Sequence, residues 1–349
     1  MHKTLLGLNK SELETLTKTI GESGYRGRQI GQWLYQHSVH TIEDMTSLPA
    51  QMRTRLATEY EVGRSQIAAL QRSKDNTIKL LLKLHDSETI ETVGIPYADR
   101  FSCCVSTQVG CPVGCAFCAT GQSGFKRNLT AGEIIDQVLS VQETAQKLDL
   151  PTKNNAHRIS HVVFMGMGEP LLNYEATIQA LHLLNEELGI AMRHLTISTV
   201  GFVPGIRSLA QENLQITLAI SLHAPTDELR RKLIPSFQQW TVEEIIRACR
   251  DYVKLTGRRI TFEYCLLRGI NDNAAAAQQL ASLLKGLNCH VNLIPYNAVE
   301  TIPFRAPFRE SIQSFRETLE SAGIIVTQRQ QRGASIAAAC GQLRERSDA

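Results

Sequence analysis

The sequence predicts an α/β protein built on a partial (β/α)6 TIM-type barrel, with a small helical N-terminal domain and a C-terminal extension. Three observations support this prediction. From about residue 100, strand-like apolar runs alternate with helical patterns at a regular spacing. Polar or glycine-rich segments follow several of these runs, as they do at the carboxyl face of such barrels. The residues before 60 are polar and predicted to be helical.

The region before the barrel is predicted to consist of two parts. Residues 1–60 are predicted to form a helical accessory domain. Its surface is expected to be basic and to carry an aromatic residue, because it contains Arg26, Arg28 and Trp33. An ordinary solvated face would explain these residues equally well. Residues 61–95 alternate like strands, most clearly at 77–84, and predict a small β or linker region.

The barrel is predicted over residues 96–300, followed by a C-terminal segment over 301–349. Strands are predicted at 101–107, 159–165, 194–200, 215–222, 259–267 and 290–294, with a further strand at 324–328. Helices are predicted from the capping box at Thr130 to about Lys147, and at 175–188, 227–233, 242–255, 273–285 and 309–321.

Composition argues against a membrane-spanning protein and against a secreted protein built on disulfides. The chain has 349 residues, of which 43% are hydrophobic and 20% charged, with a formal net charge of +3, so nucleic-acid binding is not demanded by charge alone. It has no apolar run long enough for a signal region or a membrane span. The nine cysteines do not suggest a secreted disulfide framework, and we expect a cytoplasmic protein. The oligomeric state leaves no trace in the sequence, and a monomer is the default expectation.

Three cysteines in a glycine-containing loop after the first barrel strand are the most informative feature. Cys111, Cys115 and Cys118 have the spacing C-x3-C-x2-C. A structural zinc site needs four ligands, so zinc would require a fourth ligand elsewhere in the chain. A [4Fe–4S] cluster held by three cysteines instead keeps one iron open to a substrate or cofactor. The spacing resembles the signature of radical S-adenosylmethionine (SAM) enzymes, in which the open iron binds the amino and carboxylate groups of SAM.

Polar residues at the ends of other barrel strands predict the rest of a SAM site. Gly168 and Glu169 follow the second strand, where the carboxylate could accept hydrogen bonds from the SAM ammonium. A structural turn is the alternative there. Hydroxyl, imidazole and amide groups after later strands suit a ribose and a carboxylate, although each residue alone is more often structural. These residues are Ser198, Ser221, Leu222, His223 and Asn297.

Two further cysteines are candidates for chemistry. Cys104 lies on the first strand and is predicted to point toward the same rim, whereas Cys340 lies among small residues near the end of the chain. A buried, inert thiol is the alternative for Cys340. We accept that alternative for the cysteines in apolar strand or helix patterns. These are Cys103, Cys249, Cys265 and Cys289.

Over nearly its whole length the chain resembles the radical SAM adenine-C2 RNA methyltransferases of the RlmN family. The resemblance rests on sequence segments around the residues already named. They are 104–111, 115–121, 164–173, 197–201, 221–225, 292–297 and 339–343. One departure is the stretch before Cys340, where family members often carry an acidic residue and this chain has Gly333 to Ala339 without one.

The resemblance implies a mechanism that needs two SAM molecules per turnover. The first methylates Cys340, and the second, cleaved at the cluster, supplies a radical that removes a hydrogen from that methyl group. The carbon radical adds to the base, Glu91 takes up a proton, and Cys104 attacks Cys340 to release the product through a transient disulfide. For Glu91, a solvated strand carboxylate is the alternative. The implied cofactors are a [4Fe–4S] cluster and SAM.

The implied substrates are adenine in 23S ribosomal RNA, at the peptidyl transferase centre, and in tRNA, at position 37. The implied electron donor is a protein such as flavodoxin or ferredoxin. The basic N-terminal residues and residues 126–128 could contact phosphates. Two other functions stay open: methylation of adenine carbon 8 by a Cfr-type enzyme, and a non-catalytic RNA adaptor that binds zinc.

Overall fold

The computed structural model describes residues 2–152 and 157–344 of the chain. Its helices are α1 (Lys10–Thr19), α2 (Gly24–Tyr35), α3 (Ala50–Glu59), α4 (Ala119–Gln122), α5 (Ala131–Lys147), α6 (Tyr174–Glu186), α7 (Val203–Gln211), α8 (Asp227–Leu233), α9 (Val242–Thr256), α10 (Ala274–Leu284) and α11 (Arg309–Ser321). Its strands are β1 (Lys3–Thr4), β2 (Tyr60–Glu61), β3 (Gln66–Arg72), β4 (Ile78–Lys83), β5 (Thr89–Pro96), β6 (Phe101–Cys104), β7 (Gln108–Gly110), β8 (Phe125–Asn128), β9 (His161–Phe164), β10 (Leu195–Thr199), β11 (Thr217–Ser221), β12 (Ile260–Leu266), β13 (Cys289–Pro295) and β14 (Ile325–Gln328).

One ten-stranded mixed sheet organises the molecule, in the order β14-β13-β12-β11-β10-β9-β6-β5-β4-β3. The strands from β6 through β9 to β14 pair in parallel, and helices α5 to α11 connect them. The strands β3 to β6 pair antiparallel. The predicted α/β fold with a partial barrel is therefore confirmed, and the strands of region 61–95 continue the same sheet.

The N-terminal helices pack against the barrel through a close backbone contact. A Cβ atom on Gly132, at the start of α5, would lie 2.2 Å from the carbonyl oxygen of Leu6, so only glycine fits there. A buried ion pair joins Arg64, in the connection between β2 and β3, to Asp136 of α5. Residue Gln179 of α6 adds a hydrogen bond from its side chain to the carbonyl of Gly7, at 2.9 Å.

The hydrophobic core runs continuously from the N-terminal helices through the barrel. It includes Leu5, Leu34, Leu139, Phe262 and Leu343. A second, smaller cluster lies beneath the cysteine loop. Within the described ranges, no helix is long and apolar enough to cross a bilayer.

Some elements differ from the sequence-based expectation. The first barrel strand ends at Cys104, not at residue 107, and the amide of Thr107 instead donates to the carbonyl of Met167. Helix α7 follows Phe202 directly, where the glycine and proline around it hid its start. The short pairs β1–β2 and β7–β8 are too brief for a periodic pattern to reveal them. Residues 345–349 of the predicted C-terminal segment lie outside the described residues.

Candidate active site

The cysteine loop is held in place by its own apolar residues. Val113 and Phe117 are 2% and 8% exposed and pack into the second hydrophobic cluster with Leu233 and Phe237. The amide of Ala116 donates to the carbonyl of Leu233 at 2.9 Å. The apolar residues of the loop thus pack against α8 and the segment after it, while its three cysteines line a cavity.

Cys111, Cys115 and Cys118 line one cavity of about 150 Å³, which we call the cluster-loop cavity. Among the described residues, no three His, Cys, Asp or Glu side chains form a ready site for a single metal ion. A cubane differs from a single ion because it takes one thiolate at each of three irons. Three thiols spaced around one cavity therefore fit a [4Fe–4S] cluster by their number and placement.

Arg230 lies behind this loop and was not singled out from the sequence. It is 4% exposed, its Nη2 donates to the carbonyl of Val200, and its buried Nε has no hydrogen-bond partner among the described residues. Burial lowers the pKa of Arg230, while the neighbouring Cys115, Asp227 and Glu169 raise it. A buried guanidinium with an unsatisfied donor favours an anionic group nearby, and a thiolate-bound cluster is such a group.

Glu169 faces the same cavity from the loop after β9. Its Oε2 accepts from the amide of Val200 at 2.7 Å and its Oε1 accepts from the amide of Leu171 at 3.1 Å. Burial nevertheless raises the pKa of Glu169 to about 7. Gly168 precedes it with φ +102°, and a Cβ there would lie 2.7 Å from the Gln108 side chain, so the turn requires glycine.

The predicted hydroxyl and imidazole groups also meet at this cavity. Ser198 and Ser221 lie on neighbouring strands, and their hydroxyl oxygens are 3.1 Å apart. His223 accepts a hydrogen bond at Nδ1 from the amide of Cys265, and burial together with Arg230 lowers its pKa to about 3, so the ring is neutral. Leu222, also predicted to contact SAM, is fully buried in the hydrophobic core and is not among the residues that line this cavity.

Cys340 lies where two cavities meet. It lines the cluster-loop cavity and also a larger cavity of about 750 Å³, which we call the rim cavity. Cys104 lines the rim cavity as well, and both thiols are free. Asn297, which was predicted to contact SAM, lines the rim cavity, and its Nδ2 donates to the carbonyl of Cys340 at 3.0 Å. The structure therefore brings the two extra cysteines to one space.

Two charged residues that the sequence did not reveal, Arg329 and Glu263, lie near these thiols. Burial raises the pKa of Cys340, and Arg329 opposes that rise. A thiolate at Cys340, with Glu263 and Cys104, in turn raises the pKa of Arg329. Glu263 lies inside β12, is 4% exposed, and accepts from Nδ2 of Asn292 at 2.8 Å. A lone carboxylate in the apolar strand sequence Ile260–Leu266 was the available signal for it.

Glu91 is not the solvated strand carboxylate of the alternative interpretation. It is 2% exposed, forms an ion pair with Lys79 at 2.9 Å, and accepts from the amide of Arg344 at 2.9 Å. On β5 it lies two residues from Val93, which pairs with Cys104, so Glu91 and Cys104 belong to one face of the sheet. It lies beneath the C-terminal segment and lines neither of the two cavities.

The other cysteines are buried as expected, with one addition. Cys103, Cys249 and Cys289 are at most 7% exposed. Cys265 is equally buried but also lines the cluster-loop cavity, because it lies near the carboxyl end of β12.

The residues predicted to contact RNA differ in their surroundings. Arg127 forms ion pairs with Asp86 and Glu133, and Lys126 forms one with Glu88. These carboxylates neutralise the positive charges of Arg127 and Lys126 that would otherwise attract a phosphate group. In α2, Arg28 likewise forms an ion pair with Glu14 at 3.0 Å, and Arg26 and Arg28 place their guanidinium groups 5.9 and 5.5 Å from the ring of Tyr25, which is 52% exposed. Trp33 donates to the hydroxyl of Ser47 at 2.8 Å.

Comparison with known proteins agrees with this arrangement. The model of the radical SAM superfamily matches residues 105–280, and that of the ribosomal RNA large subunit methyltransferase N-terminal domain matches residues 3–62. A probable dual-specificity RNA methyltransferase RlmN from Thermosynechococcus vestitus is 49% identical over 341 residues, 98% of each chain. Its counterpart from Gloeobacter violaceus is 50% identical over 348 residues, 99% of this chain and 97% of the relative. The crystal structure of a radical SAM methyltransferase from Sphaerobacter thermophilus superposes with a TM-score of 0.92 at 45% identity, covering 98% of this chain and 99% of that one.

Proposed function

The chain belongs to the RlmN family of radical SAM RNA methyltransferases, and from this we propose that it methylates carbon 2 of adenine through a methyl group carried on Cys340. The proposed substrates are 23S ribosomal RNA, at the peptidyl transferase centre, and tRNA, at position 37. The observation that supports the proposal most is the position of Cys340. It lines both the cavity of the three cysteines and the cavity of Cys104.

The proposed cofactor ligands are the side chains around the cluster-loop cavity. Cys111, Cys115 and Cys118 would hold a [4Fe–4S] cluster, and Gly168 and Glu169 would bind the amino group of SAM. Ser198, Ser221 and His223 in the same cavity would hold the rest of SAM, together with the backbone of Leu222 and with Asn297 from the neighbouring rim cavity. When bound, the cluster supplies the electron that converts a sulfonium into a carbon radical.

Cys340 is the proposed carrier of the methyl group. As a thiolate it takes a methyl group from a first SAM, forming a carbon–sulfur bond and leaving S-adenosylhomocysteine. Burial raises the pKa of Cys340, and the Arg329 guanidinium beside it opposes that rise, since a positive charge stabilises the anionic form of a thiol. A second SAM is consumed in generating the radical that acts on this methyl group, so each turnover uses two.

Cys104 and Glu91 are the proposed partners in product release. Once the methylene carbon has bonded to carbon 2 of the base and the adduct radical has lost one electron, for which the cluster would be the acceptor, Glu91 takes up the proton that leaves the ring. The Cys104 thiolate then attacks the sulfur of Cys340, and a disulfide forms as the carbon–sulfur bond breaks. The methylene carbon keeps the electron pair of that bond and takes up a proton to become the methyl group. The disulfide must gain two electrons before the next turnover. A protein such as flavodoxin or ferredoxin is the proposed electron donor for the cluster.

The proposed division of the chain follows these roles. Residues 1–60 form an RNA-binding accessory domain, 61–95 a small β or linker region, 96–300 the radical SAM barrel and 301–349 the segment that carries Cys340. A monomer in the cytoplasm is proposed, where a cluster and free thiols stay reduced.

Nucleoside analysis tests the proposed function. The anaerobically reconstituted protein is incubated with SAM, a reductant and either ribosomal RNA or tRNA, and the digested nucleosides are separated by mass spectrometry. We expect 2-methyladenosine from both RNAs. Formation of 8-methyladenosine without 2-methyladenosine would assign the Cfr-type activity. A colourless protein that binds zinc and leaves both RNAs unmodified would favour the adaptor.

A further inference from the structure

Lys79 and Glu91 form a buried ion pair on adjacent strands. Lys79 on β4 lies opposite Val93 of β5, and Glu91 lies two residues away from Val93 on the same face, which makes a diagonal cross-strand pair. The two side chains are 3% and 2% exposed, and Nζ lies 2.9 Å from Oε1. A charge buried to this degree is costly without a partner, and this ion pair gives each of the two residues an oppositely charged one.

Both members of the pair also bind the C-terminal segment, on either side of Cys340. Lys79 Nζ donates to the carbonyl of Ala337 at 3.2 Å, three residues before the cysteine. The amide of Arg344, four residues after it, donates to Glu91 Oε2 at 2.9 Å. One ion pair therefore fixes both ends of the short stretch that carries the thiol.

Further contacts hold the middle of this stretch on the rim. The carbonyl of Gly341 accepts from the amide of Ala119, directly after Cys118, and the carbonyl of Leu343 accepts from the hydroxyl of Thr120 at 2.5 Å. Within the stretch, Ala337 has φ +49°, a left-handed conformation that non-glycine residues rarely adopt. Contacts around Ala337 must offset that strain, and Lys79 makes one of them at its carbonyl.

We propose that Lys79 is a positioning residue that, through its ion pair with Glu91, holds the Cys340 segment docked against the cysteine loop. The inference rests on the proposed function, in which Cys340 has to face the cluster-loop cavity when it receives its methyl group. In the docked state the segment covers Glu91, whose Oε2 binds the amide of Arg344. The carboxylate therefore becomes accessible to a base in the rim cavity when the segment leaves it.

Docking thus links the two roles of the segment. While the segment is docked, Cys340 faces the cofactor site and Glu91 is engaged. When the segment moves, the Lys79–Ala337 and Glu91–Arg344 hydrogen bonds break together and the proposed proton acceptor is uncovered. The timing of proton uptake then follows the movement of the thiol.

Hydrogen–deuterium exchange of the cluster-loaded enzyme, read by mass spectrometry of peptides over residues 333–344, tests the inference. We expect Lys79→Met to speed exchange in this segment at least tenfold, while the peptides of β10 to β13 keep their wild-type rates. Because Lys79→Met removes the ion-pair partner at 2.9 Å from the buried Glu91 carboxylate, a second variant removes both charges. Lys79→Met with Glu91→Gln removes the carboxylate as well and should show the same faster exchange.

The matched control is the buried pair Arg64–Asp136, with side chains 3% and 0% exposed and no contact to the C-terminal segment in the described structure. Arg64→Met with Asp136→Asn should leave exchange over 333–344 unchanged. Wild-type exchange in both Lys79 variants would overturn the inference, as would equal acceleration in the control.

A second readout separates this inference from the proposed function. With SAM present and RNA absent, the fraction of Cys340 that carries a methyl group is measured by peptide mass. The inference predicts normal methylation in the wild type and several-fold slower methylation in the Lys79 variants. Faster exchange in the variants with no methylation in any protein, wild type included, would contradict the proposed function alone. Normal methylation with unchanged exchange in the variants would contradict the positioning role alone.

Discussion

Asn297 donates a hydrogen bond from its side-chain amide to the carbonyl oxygen of Cys340, at 3.0 Å. The sequence predicts Asn297 as a ligand of SAM, yet its side chain lines the rim cavity and holds the C-terminal segment. In this conformation its amide helps to orient the thiol of Cys340.

The first prediction concerns this hydrogen bond. Asn297→Ala should slow methylation of Cys340 three- to tenfold in a single-turnover assay, because one hydrogen bond contributes ~1 kcal/mol. Peptide mass spectrometry measures the rate. Asn185→Ala is the control, since Asn185 makes a similar amide-to-carbonyl bond at 2.9 Å in α6, away from the site. Equal effects of the two substitutions would contradict a specific role for Asn297.

The second prediction concerns the cluster. The wild-type protein reconstituted without oxygen should be brown and hold about four irons per chain. Cys118→Ala should lose most of this iron, because it removes one of three thiolates around the cluster-loop cavity. Cys289→Ala, at a buried thiol outside that cavity, should keep it. Full iron content in Cys118→Ala would show that these cysteines do not hold a cluster.

The third prediction concerns release of the RNA. Cys104→Ala should accumulate a covalent protein–RNA adduct, since no second thiol is left on the rim cavity to attack Cys340. Denaturing gel electrophoresis with labelled RNA measures the adduct. Cys103→Ala is the neighbouring control, because successive strand residues face opposite sides and Cys103 is fully buried next to Thr92. If both variants release RNA normally, Cys104 has no resolving role.

The fourth prediction concerns pH. Burial raises the pKa of Glu169 to about 7, so below pH 7 the SAM-free protein holds this group protonated. Because the SAM ammonium requires the carboxylate, SAM affinity should fall about tenfold for each pH unit below 7 and level off above it.

The same raised pKa also makes the folding stability of the SAM-free protein depend on pH, in the opposite direction to that expected for an ordinary ion-paired carboxylate. The stability that Glu169 contributes is present below its unfolded pKa and is lost as the pH rises through about 7.

Glu169→Gln tests that assignment. It should weaken SAM binding by about tenfold to a hundredfold at pH 8, since a hydrogen bond to a charged group contributes ~1.5–3 kcal/mol. It should also flatten the pH dependence, which isothermal titration at several pH values measures. A wild-type pH profile in the variant would assign the titration to another group.

The barrel was predictable because each of its elements carries a local signal. Helices α8 and α11 were predicted to the residue, and every predicted barrel strand is present, since apolar periodicity and capping residues fix these elements. The three loop cysteines could be singled out from their spacing alone, and the structure brings them to one cavity. The meeting of five strand ends at one rim also followed from the order of parallel strands.

What the sequence did not reveal depends on contacts between distant segments. Lys79 meets Ala337 across 258 positions, and Arg344 meets Glu91 across 253. A lysine inside a strand pattern is normally read as solvent-facing, so its burial could not be predicted from its neighbours. Arg230 in a polar helix and Arg329 after β14 have no local signal either, because their roles depend on the thiols and carboxylates that folding brings to them.

The account depends most on the claim that the methyl group passes through Cys340. Enzyme is first loaded with methyl-deuterated SAM, freed of small molecules, and then allowed one turnover with RNA and unlabelled SAM. We predict that the 2-methyladenosine formed contains deuterium, and that Cys340→Ala forms neither the labelled protein nor the product. Product from the wild-type enzyme whose methyl group is wholly unlabelled would contradict the claim.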